Sequence, residues 1–92
     1  MTMETYKTDS LERMKKLEIF LRDKDMENYA IEVHALKSDS KYLGFTQLAE
    51  MSYNHEMAAK ENNVDFIVNN INPLMNEANR VVAVVKQYLG VE

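Results

Sequence analysis

Residues that interrupt helices are almost absent from this chain, and their scarcity constrains the fold more than any other feature. Glycine occurs only at Gly44 and Gly90, and proline occurs only at Pro73. Leucine, methionine, alanine, glutamate and lysine, which favour helices, fill much of the remaining sequence. Apolar residues recur at intervals of three and four positions, the period of a helix that buries one face. The sequence therefore predicts an all-α protein.

Four segments carry this period, and short polar turns separate them. Asp9 and Asp25 are the expected N-caps of the first two helices, and Gly44 is the expected end of the second. Such short turns place consecutive helices side by side in opposite directions. We therefore expect a single domain over residues 1–92, an antiparallel up-down four-helix bundle. The predicted helices cover residues 10–22, 26–43, 46–60 and 64–89.

Each predicted helix has an apolar stripe that we expect to face the core. Pro73 lies inside the fourth helix and removes a backbone donor, which predicts either a kink or a break with a new helix starting at Pro73. The expected stripes are Leu11, Met14, Leu17 and Leu21; Met26, Tyr29, Val33, Leu36, Ser40 and Leu43; Leu48, Met51, His55 and Ala58; and Ile67, Ile71, Leu74, Ala78, Val81, Val85 and Tyr88.

Composition excludes several classes of protein. There is no cysteine, so the chain has neither a disulfide framework nor a thiolate metal site. The net charge is −4 and no basic block occurs, which argues against a nucleic-acid partner. The longest apolar run, Val81 to Val85, is far too short to span a membrane, and the first residues do not resemble a signal peptide. We expect a cytoplasmic protein that does not insert into membranes.

His34 lies in the middle of the second predicted helix and is the most informative polar residue. Ala30, Lys37, Ser38 and Lys41 share its helical face, and the core stripe runs beside that face. The ring should therefore lie at the core edge, partly exposed. A neutral imidazole is a nucleophile near neutral pH. Lys37, one turn away, is placed to give a charge-assisted hydrogen bond to an anionic group bound to the ring, and Lys41 to add positive charge at longer range.

Hairpin geometry predicts a partner for the ring. If the second and third helices turn around Gly44, residues equally distant from the turn lie at the same level, because both helices rise about 1.5 Å per residue. That places Glu56 opposite His34, with Tyr53 and His55 nearby. A carboxylate there would accept a hydrogen bond from Nδ1–H and leave Nε2 as the nucleophile. We therefore predict that Glu56 orients His34.

The run HALKSDSKYLG, from His34 to Gly44, resembles the phosphoacceptor motif of histidine-phosphotransfer (HPt) domains of two-component signalling. Four helices with the motif in the second also fit that family, so the resemblance covers most of the chain. Ser38 departs from the pattern, because glycine is commonest at that position. The matching positions are His34, Lys37, Ser38, Ser40, Leu43 and Gly44.

The resemblance implies a phosphocarrier rather than an enzyme, because no ATP-binding kinase motif is present. It implies phosphorylation on Nε2 of His34 and exchange with an aspartate of a response-regulator receiver domain or delivery from a sensor histidine kinase. The chain itself would need no cofactor, since the receiver would supply Mg²⁺. It also implies docking of the receiver on the second helix.

The expected docking surface is the exposed part of the second and third helices around His34. Small side chains at Ala30, Ser38 and Gly44 would leave room for a partner. Ile31, Ala35 and Tyr42 form a second, semi-apolar face, which suits docking and equally suits packing against a neighbouring helix. The candidate binding residues are Ala30, Ile31, Ser38, Lys41, Tyr42 and Gly44.

Two alternatives to a phosphocarrier remain at this point. One is a helical bundle that only docks to a partner, without chemistry. The other is a small metal-binding bundle that uses His34, His55 and Glu56. His55 lies on the core stripe of its helix, so we expect it to be a buried histidine with satisfied hydrogen bonds.

Overall fold

Four helices make up this computed structural model, which describes residues 2–89, the side chains of Met3, Tyr88 and Leu89 excepted. The core prediction for Tyr88 thus lies outside the described residues. No strand occurs in the described range, so the all-α prediction is confirmed. The bundle is 39 Å long, about the length of its 26-residue fourth helix. The helices are α1 Met3–Arg22, α2 Met26–Tyr42, α3 Thr46–Lys60 and α4 Val64–Leu89.

Helix α1 begins seven residues earlier than predicted, so the expected N-cap at Asp9 is wrong. Thr2 caps the helix instead, and its side chain accepts a hydrogen bond of 3.1 Å from the Thr5 backbone N–H. Tyr6 anchors the added turns because its ring is fully buried and its hydroxyl lies 2.9 Å from Oγ of Ser40 on α2. The spacing of apolar residues along the sequence does not reveal this contact between α1 and α2.

The other helix bounds agree closely with the predicted ones. Helix α2 ends one residue early, at Tyr42, whereas α3 and α4 have the predicted limits. Asp25 caps α2 as predicted, accepting a hydrogen bond of 3.3 Å from the Asn28 backbone N–H. Among the described side chains, every residue of the predicted core stripes is buried or half-buried except Leu11, which is 38% exposed.

Helix α4 runs without interruption through Pro73, so the predicted single helix is confirmed and the alternative of a break with a new helix at Pro73 is wrong. Pro73 is exposed and borders a small cleft between α3 and α4, together with Met51 and Phe66. A proline removes one backbone donor, which leaves the Asn69 carbonyl without its usual helical partner. Burial of the apolar face on both sides of Pro73 outweighs that loss.

All three turns use the same way of ending a helix. The first residue after each C-cap has a positive φ: 56° at Lys24, 88° at Gly44 and 56° at Asn62. After α2, the Phe45 N–H donates to the Ser40 carbonyl and the Gly44 N–H to the Lys41 carbonyl, at 2.8 and 3.2 Å. This is the Schellman arrangement, which satisfies the last carbonyls of a helix and reverses the chain within three residues.

Contacts between side chains follow the antiparallel arrangement that such turns favour. Arg13 on α1 pairs with Asp39 on α2, whereas the later Lys16 pairs with the earlier Glu32. Partners therefore move backwards along α2 as α1 advances. Helix α1 packs on α2 and α4, and α3 also packs on α2 and α4. The predicted site lies on the α2–α3 pair, and α1 and α4 pack against that pair.

Candidate functional site

His34 lies on the outer side of α2, next to the core. Its neighbours Val33 and Leu36 are fully buried in the bundle, whereas the side chain of His34 is 55% exposed. This follows from helical geometry: successive residues of an α-helix are rotated by about 100°, so His34 points about 100° away from the buried Val33. The ring is therefore held at one edge by the core and open to solvent at the other, as the helical periodicity predicts.

Glu56 reaches the His34 ring from α3. Its Oε2 lies 2.8 Å from Nδ1 of His34, although the Glu56 side chain is only 5% exposed. The turn at Gly44 brings the two helices back at matched levels, so the residues that the hairpin argument places opposite each other do meet. The contact joins a buried acceptor to a surface imidazole.

Two lysines hold the same carboxylate. Nζ of Lys37, one turn after His34, lies 3.1 Å from Oε1 of Glu56, and Nζ of Lys60 lies 3.2 Å from Oε2. The Oε1 contact is an ion pair rather than a well-directed hydrogen bond. Lys37 also lies 5.3 Å from the centre of the Tyr53 ring, within the range of a cation–π contact. Glu56 thus connects one imidazole with two ammonium groups.

These contacts determine the protonation of Glu56. Burial raises the pKa of the carboxyl, but the contacts with Lys37, Lys60 and His34 together outweigh burial and hold the pKa below its ordinary value. Glu56 is therefore a carboxylate near neutral pH and accepts hydrogen bonds only. The proton in its contact with His34 must be on Nδ1 of the neutral ring, which leaves the lone pair on Nε2.

The Nε2 side of the ring opens onto the surface. No hydrogen bond to Nε2 is formed by residues 2–89. Beside the ring is an open cleft of about 320 Å³, lined by Ala30, Ile31, His34, Glu56 and Lys60. The site therefore presents a nucleophilic nitrogen to the solvent, with a carboxylate below it and ammonium groups at its margin.

The predicted binding residues are not all equally close to the ring. Ala30 and Ile31 border the cleft, and Ile31 is 59% exposed. Lys41 lines a second cleft between α2 and α3, together with Lys37 and Tyr53. The remaining predicted binding residues, all exposed along α2 or its turn, are Ser38, Tyr42 and Gly44.

His55 faces the other way, into the bundle. Tyr29 donates its hydroxyl proton to Nδ1 over 2.9 Å, and Nε2 donates to the Asn70 carbonyl over 3.2 Å. Burial lowers the pKa of His55, and the hydrogen bond to Asn70 offsets this in part. The prediction of a buried, satisfied histidine is confirmed. No cluster of three His, Asp or Glu side chains within residues 2–89 is arranged to hold a metal ion.

Lys60 is the site residue that sequence reasoning missed. It follows Glu56 by four positions, a spacing at which oppositely charged residues commonly pair on one helix face. The spacing alone would have been enough to find it once Glu56 had been assigned to the site. Its ammonium approaches the same oxygen as the His34 ring, so it belongs to the site as directly as Lys37 does.

One comparison with known proteins gives a match. A family model described as Hpt domain matches residues 2–84 of the 92 residues. Neither the curated proteins nor the solved structures include a match to this chain. No helix in the described range is long and apolar enough to cross a bilayer.

Proposed function

The chain belongs to the Hpt domain family, and on that premise we propose that His34 is the residue that carries the phosphoryl group. The family indicates histidine phosphotransfer in phosphorelays. The chain contains two histidines, and their surroundings differ. His55 is 2% exposed and both of its ring nitrogens are engaged, whereas the side chain of His34 is 55% exposed.

One observation carries the proposal: Nδ1 of His34 is bound to Glu56, whereas Nε2 forms no hydrogen bond within residues 2–89 and the side chain is 55% exposed. A phosphoryl acceptor needs a nitrogen lone pair that is both accessible and aligned. The carboxylate fixes the tautomer that places this lone pair on Nε2, and it also limits rotation of the ring. Glu56 is therefore a positioning residue, which acts through Nδ1 and does not touch the phosphoryl group.

Transfer into the site is a single displacement at phosphorus. The Nε2 lone pair attacks the phosphorus of an aspartyl phosphate on a receiver domain, and the P–N bond forms as the P–O bond to the aspartate breaks. The aspartate leaves with that electron pair as a carboxylate. Transfer out is the same step in reverse. The chain itself contributes orientation and charge, while Mg²⁺ on the receiver would stabilise the phosphoryl oxygens.

Lys37 and Lys60 provide positive charge beside the incoming group. A phosphoryl group on Nε2 adds about two negative charges at the edge of a site that already contains Glu56. Both lysines are on flexible side chains whose ammonium groups contact Glu56, the carboxylate that also contacts the ring. A small rotation of either side chain gives a charge-assisted hydrogen bond to a phosphoryl oxygen. The two lysines therefore offset the repulsion from Glu56.

The receiver would dock on the exposed parts of α2 and α3 around the ring. Ile31 is 59% exposed and Tyr42 is 71% exposed, and both are on the solvent side of α2. Tyr53 and Met57 add exposed apolar surface on α3. Apolar side chains around a reactive centre are typical of a surface that a partner covers transiently.

The experiment is phosphoryl transfer from a phosphorylated receiver domain to the wild-type chain and to His34→Gln. We expect acid-labile, alkali-stable label on the wild type and none on the variant. His55 remains in the variant and serves as an internal control for nonspecific labelling. Label that persists in His34→Gln would contradict the assignment. A receiver that binds both proteins equally, with no transfer to either, would favour the docking-only alternative.

A further inference from the structure

The buried carboxylate of Glu56 has a consequence for the phosphorylated state. We propose that Glu56 traps a proton on Nδ1 of phosphorylated His34, so that the phosphoryl group is held as a phosphoimidazolium, the form from which it leaves most readily. This inference rests on the proposed function of His34. It concerns the stage after transfer, when Nε2 is bonded to phosphorus and Nδ1 alone can still gain or lose a proton.

The chemistry of release makes the Nδ1 proton important. When the P–N bond breaks, its electron pair returns to Nε2. If Nδ1 carries a proton, a neutral imidazole leaves, and a new P–O bond forms to the acceptor aspartate or to water. If Nδ1 has lost its proton, the same step must expel an imidazolate anion, which is a much poorer leaving group. The protonated ring is therefore the competent phosphoryl donor.

The geometry keeps the proton in place by two means. Oε2 of Glu56 lies 2.8 Å from Nδ1, and a carboxylate at hydrogen-bond distance stabilises an imidazolium ring. The carboxylate is also 5% exposed and covers this edge of the ring, so water has little access to Nδ1. The proton on Nδ1 is therefore stabilised by the hydrogen bond to Glu56, and its transfer to water is restricted.

Glu56 is itself a poor base for taking the proton away. The contacts with Lys37 and Lys60 stabilise its charged form, and together with the His34 contact they lower its pKa in spite of burial. The charged groups around the ring are Glu56 and Lys60 from α3 and Lys37 from α2. Both lysines contact the carboxylate and not Nδ1, so the hydrogen bond from the ring to Glu56 does not depend on them. When a lysine turns towards the phosphoryl group, the contact with the positively charged His34 ring still stabilises the charged form of Glu56.

Glu56→Gln is the informative substitution, because the amide oxygen can still accept a hydrogen bond from Nδ1–H but carries no charge. Glu50→Gln is the matched control, since it makes the same charge change on the exposed side of the same helix. Each 92-residue protein would be phosphorylated chemically with phosphoramidate, which requires no partner. His34→Gln assigns the ring signals.

Two readouts separate a charge effect from a structural one. At about pH 8.5, the ¹⁵N chemical shift of Nδ1 should be that of a protonated nitrogen in the wild type and in Glu50→Gln. In Glu56→Gln it should be that of a deprotonated nitrogen. Hydrolysis of the phosphohistidine should be about tenfold slower in Glu56→Gln at this pH, and the rates should converge in acid, where every ring is protonated.

Identical Nδ1 signals and identical pH–rate profiles in the wild type and Glu56→Gln would overturn this inference. Rates for Glu56→Gln that differ from the wild type by the same factor at every pH would also overturn it, since they would indicate only a change in ring position. Failure of phosphorylated receivers to transfer to His34 would instead overturn the proposed function, so the two failures are distinguishable.

Discussion

The side chain of Lys37 contacts Glu56 on α3 and not the ring of His34, although His34 lies only one turn earlier on the same helix as Lys37. Its Nζ lies 3.1 Å from Oε1 of the buried carboxylate. The site is therefore an ion-paired cluster, and in the proposed phosphorylated state the phosphoryl group on His34 would compete with Glu56 for the lysine. The competition favours the phosphoryl group, because it carries about two negative charges against one.

Replacing Lys37 with methionine should slow phosphoryl transfer to His34 by about tenfold, the effect of losing one charge-assisted hydrogen bond at a half-exposed site. The rate would be measured with a phosphorylated receiver in excess. Lys15→Met, on the exposed side of α1, is the matched control and should transfer at the wild-type rate. An unchanged rate in Lys37→Met would contradict the assigned role.

Replacing Lys60 with methionine should have a smaller effect, about threefold, because its side chain is 58% exposed and more strongly screened by solvent. The double substitution of Lys37 and Lys60 tests whether they act together. Both contact Glu56, so we expect the effects to be non-additive in a double-mutant cycle. Strict additivity would show that the two lysines act independently of the shared carboxylate.

Folding stability should depend on pH through His55. Burial lowers the folded-state pKa of this ring. The unfolded chain therefore binds the proton more readily, and stability that is complete well above about pH 6.5 should fall as the pH drops towards the folded-state value.

Urea unfolding between about pH 7.5 and pH 5 would measure this dependence, above the range in which carboxylates titrate. His55→Gln should flatten the profile, because glutamine can accept from Tyr29 and donate to the Asn70 carbonyl without titrating. The slope should persist in His34→Gln. Equal slopes in all three proteins would refute a role for His55.

The positive φ angles of the turns predict opposite effects of two substitutions. Gly44→Ala should lower the free energy of unfolding by about 1 kcal/mol, because alanine is strained at a φ of 88°. No atom lies within 4 Å of an added Cβ, so the cost would come from the backbone alone. Lys24→Gly, at a φ of 56°, should instead stabilise the fold by up to about 1 kcal/mol. Chemical denaturation would measure both.

Receiver binding should depend on Ile31 but not on an equally exposed residue elsewhere. Ile31→Lys places a charge beside the His34 cleft and should weaken binding by about tenfold. Val68 on α4 is 55% exposed, close to the 59% of Ile31, so Val68→Lys makes the same change away from the site. Titration of a receiver domain against both variants would check this. Equal affinities would exclude this part of α2 from the interface.

Much of the bundle follows from local pattern. The limits of α3 and α4, the cap at Asp25 and nearly all of the core positions agree with the apolar period and the turn residues. Agreement is closest where a long amphipathic segment ends at a three-residue turn. Leu11 is the exception, because the buried line of α1 runs through Tyr6, Ser10 and Met14 instead.

The start of α1 and the continuity of α4 are decided by contacts between helices. Tyr6 is buried against α2 through its bond to Ser40, and that burial extends α1 beyond the point where the apolar pattern becomes clear. At Pro73 the local rule predicts a kink or a break. Packing of Ile67 and Leu74 on either side keeps the helix in one piece.

The sequence by itself determined that this chain forms helices, which of their faces are buried, and that His34 lies at a core edge with Glu56 at its level. Those properties depend on a regular rise and rotation per residue, which the chain carries locally. Only the tertiary structure decided how the charges are distributed around the ring. Lys60 can be placed from its four-residue spacing to Glu56 on one helix, but Lys37 reaches the same buried carboxylate from another helix. That contact depends on how closely α2 and α3 pack and on which rotamers fit there, and the spacing of residues along one helix encodes neither.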